Sequence, residues 1–282
     1  MKKSVSIWSF AGQSTEDAMA LAKKAGFDGI ELDISEKGEF TLESGDQAWL
    51  SAKSKAAERG LALPSLATGL FWQYSLTADD PAQQAKALHI ARRMLEAAKL
   101  IGADTVLIVP GGVGVDFVPG FAAVPYDVAY DRALEAFGCL KKDAESLQVH
   151  IGIENVWNKF LLSPLEMRSF IDQLNSPYIG AYFDVGNTVA WGYPQHWISI
   201  LGSRIKKVHF KDYRRSANGL AGFVDLLSGD VDWPAVMAAF KAVDYDGWVT
   251  AEMLPPYAYY PEQMIMNTAN AMNCILGGKK HV

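Results

Sequence analysis

Cysteine is scarce in this chain, with two among 282 residues, and that excludes a fold held by a disulfide framework. Cys139 and Cys274 both fall within helical apolar patterns, so they read as reduced core residues of a cytoplasmic protein and not as nucleophiles. No stretch approaches the ~20 apolar residues that a membrane span needs. The apolar part of the opening MKKSVSIWSF is short and broken by polar residues, which argues against a leader. Lys and Arg form no stripe and the formal net charge is −6, so neither nucleic acid nor a membrane surface is an expected partner. A dinucleotide-binding fold is disfavoured too, because FAGQST after the first apolar run holds one glycine where the phosphate fingerprint needs several. Small neutral or mildly anionic molecules remain as ligands, and a homo-oligomer is compatible with all of this.

What is present is a large apolar fraction, 50%, arranged in a regular alternation. Strand-like SVSIWSF (4–10) precedes the helical TEDAMALAKKAG, with Ser14 or Thr15 as its N-cap and Gly26 as its stop. GIELDI (29–34) precedes DQAWLSAKSKAAERG, which stops at Gly60, and ALPSLAT (62–68) precedes a long helix opened by Pro81. TVLIVPGG (105–112) precedes YDVAYDRALEAFGCLKKDAESLQ. Four further units follow: HIGIENV (150–156), IGAYFDVG (179–186), KKVHFKD (206–212) and GWVTAEM (247–253), each with a helical pattern behind it. Eight strand-then-helix units with no break in composition predict a single (β/α)8 TIM barrel domain over residues 1–282, against an open doubly wound sheet.

The last four runs carry the chemistry. Each ends in a side chain able to ligate a metal: Glu154, Asp184, His209 and Glu252. Strand side chains alternate faces, so these four share the interior face of a barrel while Ile153, Phe183, Val208 and Ala251 point outward. The carboxyl ends of parallel barrel strands meet at one mouth, so three carboxylates and one imidazole are expected to converge there. Such a cluster repels itself by several kcal/mol unless a cation is bound. One divalent ion with three oxygen donors and one nitrogen suits Mn²⁺, Mg²⁺ or Co²⁺, and Zn²⁺ is admissible.

Trp8, Phe71, Trp72 and Trp157 fall at the mouth side of strand ends, where aromatic walls suit a sugar ring. His89, His150 and His196 read as structural or solvent-facing, and His281 lies in the tail. The glycines of PGGVG (110–114) lack an adjoining Lys, Ser or Thr and read as a loop.

Taken together, GFDGIELDI, IENVWN, FDVGN, VHFKD, GDVDW and GWVTAEM resemble the sugar-phosphate isomerase/epimerase family with the xylose-isomerase-like barrel. The likeness is to its ketose 3-epimerase and L-xylulose-5-phosphate 3-epimerase-like branch, and it spans nearly the whole chain. It implies one divalent metal, Mn²⁺ foremost, held by Glu154, Asp184, His209 and Glu252, with the two glutamates exchanging protons with the substrate. The substrate implied is a ketose or ketose phosphate. Where free-ketose enzymes of the family place a histidine after the aspartate, this chain has Asn187, and the family's arginine past the histidine is matched by Arg215 with Arg214 beside it. Lys159, Lys211, Arg214 and Arg215 near the mouth favour an anionic sugar. Trp8, Trp72, Trp157, Asn187, Lys211, Arg214 and Arg215 are the expected substrate contacts.

The same constellation admits an aldose–ketose isomerase if one face of the enediolate is used, or a polyol dehydratase. A sugar-binding protein without activity would not need both flanking glutamates. A trinuclear zinc nuclease on this barrel would need more histidines at the mouth than this chain supplies.

Overall fold

Eight short runs rich in Val, Ile and Ala pair in parallel and close on themselves. They are β1 (Lys2–Ser6), β2 (Gly29–Ile34), β3 (Ser65–Thr68), β4 (Thr105–Ile108), β5 (His150–Glu154), β6 (Ile179–Asp184), β7 (Ile205–Phe210) and β8 (Trp248–Ala251). Their order around the closed barrel follows the chain, and β8 returns to β1 with Val5 opposite Ala251. The protein is described by a computed structural model over residues 1–277, so the tail holding His281 lies outside the described residues.

Each strand is followed by a helix packed on the outside. These are α1 (Thr15–Ala25), α2 (Asp46–Glu58), α3 (Pro81–Ile101), α4 (Tyr126–Leu147), α5 (Pro164–Leu174), α6 (Pro194–Leu201), α7 (Trp233–Ala242) and α8 (Pro261–Ile275). The starts follow capping chemistry: the side chains of Ser14, Asp80, Ser163 and Asp232 each accept an amide hydrogen of the first turn, and proline occupies that turn in α3, α5 and α7. Gly26 and Gly102 end α1 and α3 in the left-handed region.

The parity of the strands sorts the core. Outward-facing Ile151, Ile153, Phe183, Val208 and Val249 are buried under the helices. The barrel interior is unusually polar, with Ser4, Glu31, Ser65, Tyr182, Lys207, His209 and Thr250 all buried. Ser4 Oγ and Thr250 Oγ1 share a hydrogen bond at 2.5 Å, and Lys207 Nζ reaches Asp104 Oδ1 at 2.6 Å near the amino-terminal end. A polar interior tolerates this burial because its donors and acceptors meet one another.

Three sequence expectations need correction. The first strand ends at Ser6, and Ile7–Phe10 coils into a 3₁₀ turn, because an apolar run alone does not distinguish a strand from a buried turn. The fourth strand stops at Ile108. Its PGGVG loop instead packs on its neighbours: the Gly112 amide donates to Thr77 Oγ1 at 2.8 Å, and the Val113 and Gly114 amides donate to the Asn158 carbonyl. Cys139 and Cys274 are exposed, not core. Each lies two residues past a buried helix position, Phe137 and Met272, and about 200° further round the helix.

Candidate active site

At the carboxyl mouth the inward parity of four neighbouring strands brings Glu154, Asp184, His209 and Glu252 together. One ligand atom from each lies within 4.8 Å of all the others. His209 Nδ1 stands 3.5 Å from Glu154 Oε1, 4.0 Å from Asp184 Oδ2 and 3.1 Å from Glu252 Oε2. All four residues are buried. Asp184 Oδ2, His209 Nδ1 and Glu252 Oε2 make no well-directed hydrogen bond, and the Lys211 ammonium faces the two carboxylate oxygens. Buried polar atoms left without partners are costly, and three of them aimed at one point are what a cation would satisfy.

The residues around the cluster set its ligands. His209 Nε2 is 3.0 Å from Glu31 Oε1, a residue absent from the sequence-based site, and Glu31 Oε2 accepts from Ser65 Oγ at 2.7 Å and from the Tyr182 hydroxyl. Glu31 thus holds the hydrogen of Nε2 and leaves the Nδ1 lone pair facing the carboxylates, the usual way a carboxylate fixes the tautomer of a metal-binding histidine. Asn155 fixes the backbone of Asp184: its side chain accepts the Asp184 amide hydrogen at 2.8 Å and donates to the Asp184 carbonyl at 2.8 Å. Asn187 donates its backbone N–H to Asp184 Oδ1 at 2.8 Å, leaving Oδ2 for the cluster. The donor set therefore fits a single divalent ion.

Protons and a lysine occupy the charge balance when no ion is bound. Lys211 Nζ stands 2.6 Å from Glu252 Oε2 and 3.3 Å from Asp184 Oδ2. Burial alone would lower its pKa, but Asp184 and Glu252 raise it well above the ordinary lysine value. Burial likewise opposes ionisation of Glu252, yet Lys211 and His209 hold its pKa down at about 2. Glu154 has no such lysine partner. Burial, with the charges of Glu252 and Asp184, pushes it up to about 7, although the nearby His209 ring acts in the other direction. His209 is raised well above the usual imidazole value: burial works against its charge, but Glu31 and the site glutamates prevail. Replacing Glu31 by Gln keeps the shape and removes that charge. Glu31→Gln is expected to weaken metal binding by roughly 10- to 100-fold, with the far-UV circular dichroism unchanged. Competition against a chromophoric chelator measures this, and an affinity within twofold of the parent would assign the orientation of His209 to other contacts.

Of the expected substrate contacts, Trp8, Trp72, Trp157, Asn187 and Lys211 line the cleft above the cluster. The Trp8 indole N–H donates to Asp33 Oδ2 at 3.0 Å and that of Trp157 to the Asn187 carbonyl at 2.9 Å, which fixes both rings. Phe71 is buried in the core. Arg214 and Arg215 do not line the cleft. Arg214 donates to the Ser228 carbonyl and Arg215 to those of Val189 and Gly192, because the chain after β7 turns into a ribbon, Asp212–Tyr213 against Phe223–Val224. Lys159 pairs with Asp116 at 2.5 Å.

Known proteins share this arrangement of elements. Residues 19–269 match the family described as the xylose isomerase-like TIM barrel. Over 262 residues the chain is 26% identical to the L-ribulose-5-phosphate 3-epimerase UlaE of Salmonella paratyphi C strain RKS4594, covering 89% of this chain and 86% of that protein. D-psicose 3-epimerase from Clostridium cellulolyticum H10, crystallised with D-tagatose, superposes with a TM-score of 0.81 at 15% identity over 98% of this chain and 99% of that one. The IOLI protein, crystallised with a bound zinc atom, gives 0.80 at 16% identity over 98% of each chain. Among the described residues no helix is long and apolar enough to cross a membrane. With the family matched over most of the barrel, the chain belongs to the xylose isomerase-like TIM barrel family.

Proposed function

We propose that this protein is an isomerase-class enzyme, a divalent-metal-dependent epimerase that inverts the carbon beside the carbonyl of a ketose or ketose phosphate. The observation that carries the reading is the unpartnered Nδ1 of His209, buried among Glu154, Asp184 and Glu252 and fixed from behind by Glu31. Those four residues would hold one ion. Their oxygen-rich donor set favours Mn²⁺, and the zinc of the IOLI neighbour keeps Zn²⁺ beside it. When bound, the ion draws electron density from the ketose oxygens and so acidifies the adjacent C–H.

The proton chemistry belongs to the two glutamates. β5 and β8 stand three strands apart in the ring, with β6 and β7 between them, so Glu154 and Glu252 reach a substrate over the cluster from different sides. One carboxylate takes the C3 proton, the bonding pair moves into an enediolate, and the other carboxyl returns a proton to the opposite face. C3 is thereby inverted. Lys211 keeps Glu252 ionised in the resting protein, and Trp157 with Phe223 walls the cleft against water. The exposed unpaired thiols Cys139 and Cys274 suit the reducing cytoplasm.

The test uses Mn²⁺-loaded protein in D₂O with a panel of pentuloses and hexuloses and their phosphates, L-ribulose 5-phosphate included. Proton NMR is expected to show deuterium entering C3 together with the C3 epimer. Metal-loaded protein that exchanges no C3 hydrogen in the whole panel would remove the epimerase reading.

A further inference from the structure

The cleft has two lobes. One, about 730 Å³, lies over Glu154 and Lys211 and is walled by Trp157, Phe223 and Leu107. The other, about 880 Å³, runs over the loops that follow β1 and β2 and presents Gln13, Asp33, Ser35, Lys37 and Glu39. Trp8, Trp72, Glu252 and Leu254 line both, so the two lobes meet at the edge of the metal cluster. Either lobe alone falls in the roughly 300–1,000 Å³ range of an ordinary small-molecule pocket. Together they exceed what one monosaccharide fills.

The second lobe has the outline of a phosphate cradle, with the amino terminus of α1, a lysine, and the glycines Gly12 and Gly38. A carboxylate already holds that position. The Thr15 amide at the start of α1 donates to Glu39 Oε2 at 3.2 Å, and the Asp17 amide donates to Ser14 Oγ. Asp33 and Glu252 face the same lobe, so Lys37 is outnumbered by acids. In the first lobe the cation is Lys211, beside Asp184 and Glu252, and it stays a single charge even where an ion takes over those carboxylates. Lys159, Arg214 and Arg215 are engaged elsewhere. A dianion would meet repulsion in the second lobe and no free cation cluster in the first.

What the second lobe does offer suits a neutral polar ring. Asp33 accepts the Trp8 indole N–H at Oδ2, and its carboxyl group and the Gln13 side chain both line the lobe. An acid oxygen and an amide beside two tryptophans supply hydroxyl partners and an apolar platform together, the combination that a carbohydrate's polar rim and apolar face require.

We propose that the substrate is an uncharged ketose bearing a second sugar ring, with the ketose over the cluster and the glycosyl group between Trp8 and Trp72 against Asp33 and Gln13. This rests on the epimerase reading for which ring reacts, but the two-lobe binding is measured independently of turnover. Isothermal titration of the Mn²⁺-loaded protein compares D-fructose, D-fructose 6-phosphate, 6-O-glucosyl-fructose and 4-O-glucosyl-fructose. The 6-phosphate and the 6-O-glucosyl sugar differ only in what extends from one oxygen. At least one disaccharide is expected to bind tenfold or more tightly than fructose and more tightly than the phosphate. Gln13→Trp, which fills the second lobe, is expected to bring the ratio of disaccharide to fructose affinity to about one, and Asp33→Ala to lower it at least threefold should the first variant fail to fold. Equal affinities for fructose and both disaccharides, the phosphate binding best, or an unchanged ratio in the folded variants would each overturn the proposal. Deuterium exchange at C3 in the same samples separates the two readings: a disaccharide preference without exchange sinks the epimerase and leaves the two-ring site standing.

Discussion

Glu154→Gln and Glu252→Gln are each expected to lower epimerisation by roughly 10²- to 10⁴-fold, the usual worth of a positioned acid or base. Loss of rate alone would not distinguish a proton carrier from a ligand, since both residues belong to the cluster. The two epimers do distinguish them. With one base on each side, each epimer presents its C3 hydrogen to a different glutamate. Glu252→Gln should therefore abolish deuterium exchange into one epimer while sparing exchange into the other through Glu154, and Glu154→Gln should show the reverse. Measured with metal content verified, equal loss of exchange from both epimers in either variant would mean that a single base serves both faces. An aldose–ketose isomerisation would then be the better account of the same residues.

The cluster was legible in the sequence for a simple geometric reason. Side chains in a strand alternate, so a ligating residue at the end of each of four apolar runs has to share a face with the others once the strands lie parallel. Glu31 obeys the same parity but lies mid-strand, away from the carboxyl end that marks the mouth, so a search of strand ends does not reach it. It lies in the middle of GIELDI, between the buried Ile30 and Leu32, and a carboxylate flanked that way in a buried strand needs a partner across the barrel. Lys207, His209 and Lys211 share one parity, so Lys211 follows from His209 as soon as the strand is drawn.

The arginines show where local reading stops. Their distance along the chain from His209 suggests the mouth, but Asp212 decides where they go. Its Oδ1 accepts the amides of Tyr213 and Val231 at 2.8 and 3.2 Å, and its Oδ2 accepts the Leu227 amide at 2.9 Å and the Trp233 indole at 3.1 Å. Those contacts fold the segment after β7 into its own ribbon, and both guanidinium groups end on carbonyls beside it. Partners up to 21 residues away set that geometry, which no local pattern reports.

Metal and pH should act on stability in opposite senses, and this is the second large effect expected. Without metal, His209, Glu154 and Asp184 all have pKa values raised by the fold, Glu154 to about 7. A raised pKa means that the folded state binds the proton more tightly than the unfolded one. The stability it contributes is complete below the unfolded pKa and is lost as pH rises through the folded value. Glu252, held down at about 2, changes only in far more acidic solution. Metal-free protein should therefore lose stability between about pH 5 and 8. A bound ion needs the same His209 lone pair and the same ionised carboxylates, so it displaces those protons and binds more tightly as pH rises. At a free Mn²⁺ or Zn²⁺ concentration of about 100 times Kd the gain is ~2.7 kcal/mol, which for a chain of this size is roughly 5 °C in Tm. Thermal melts with metal or with chelator should diverge progressively from pH 6 to pH 8. Curves that stay parallel over that range, or no shift on adding either ion, would show that the four residues do not exchange protons for a metal.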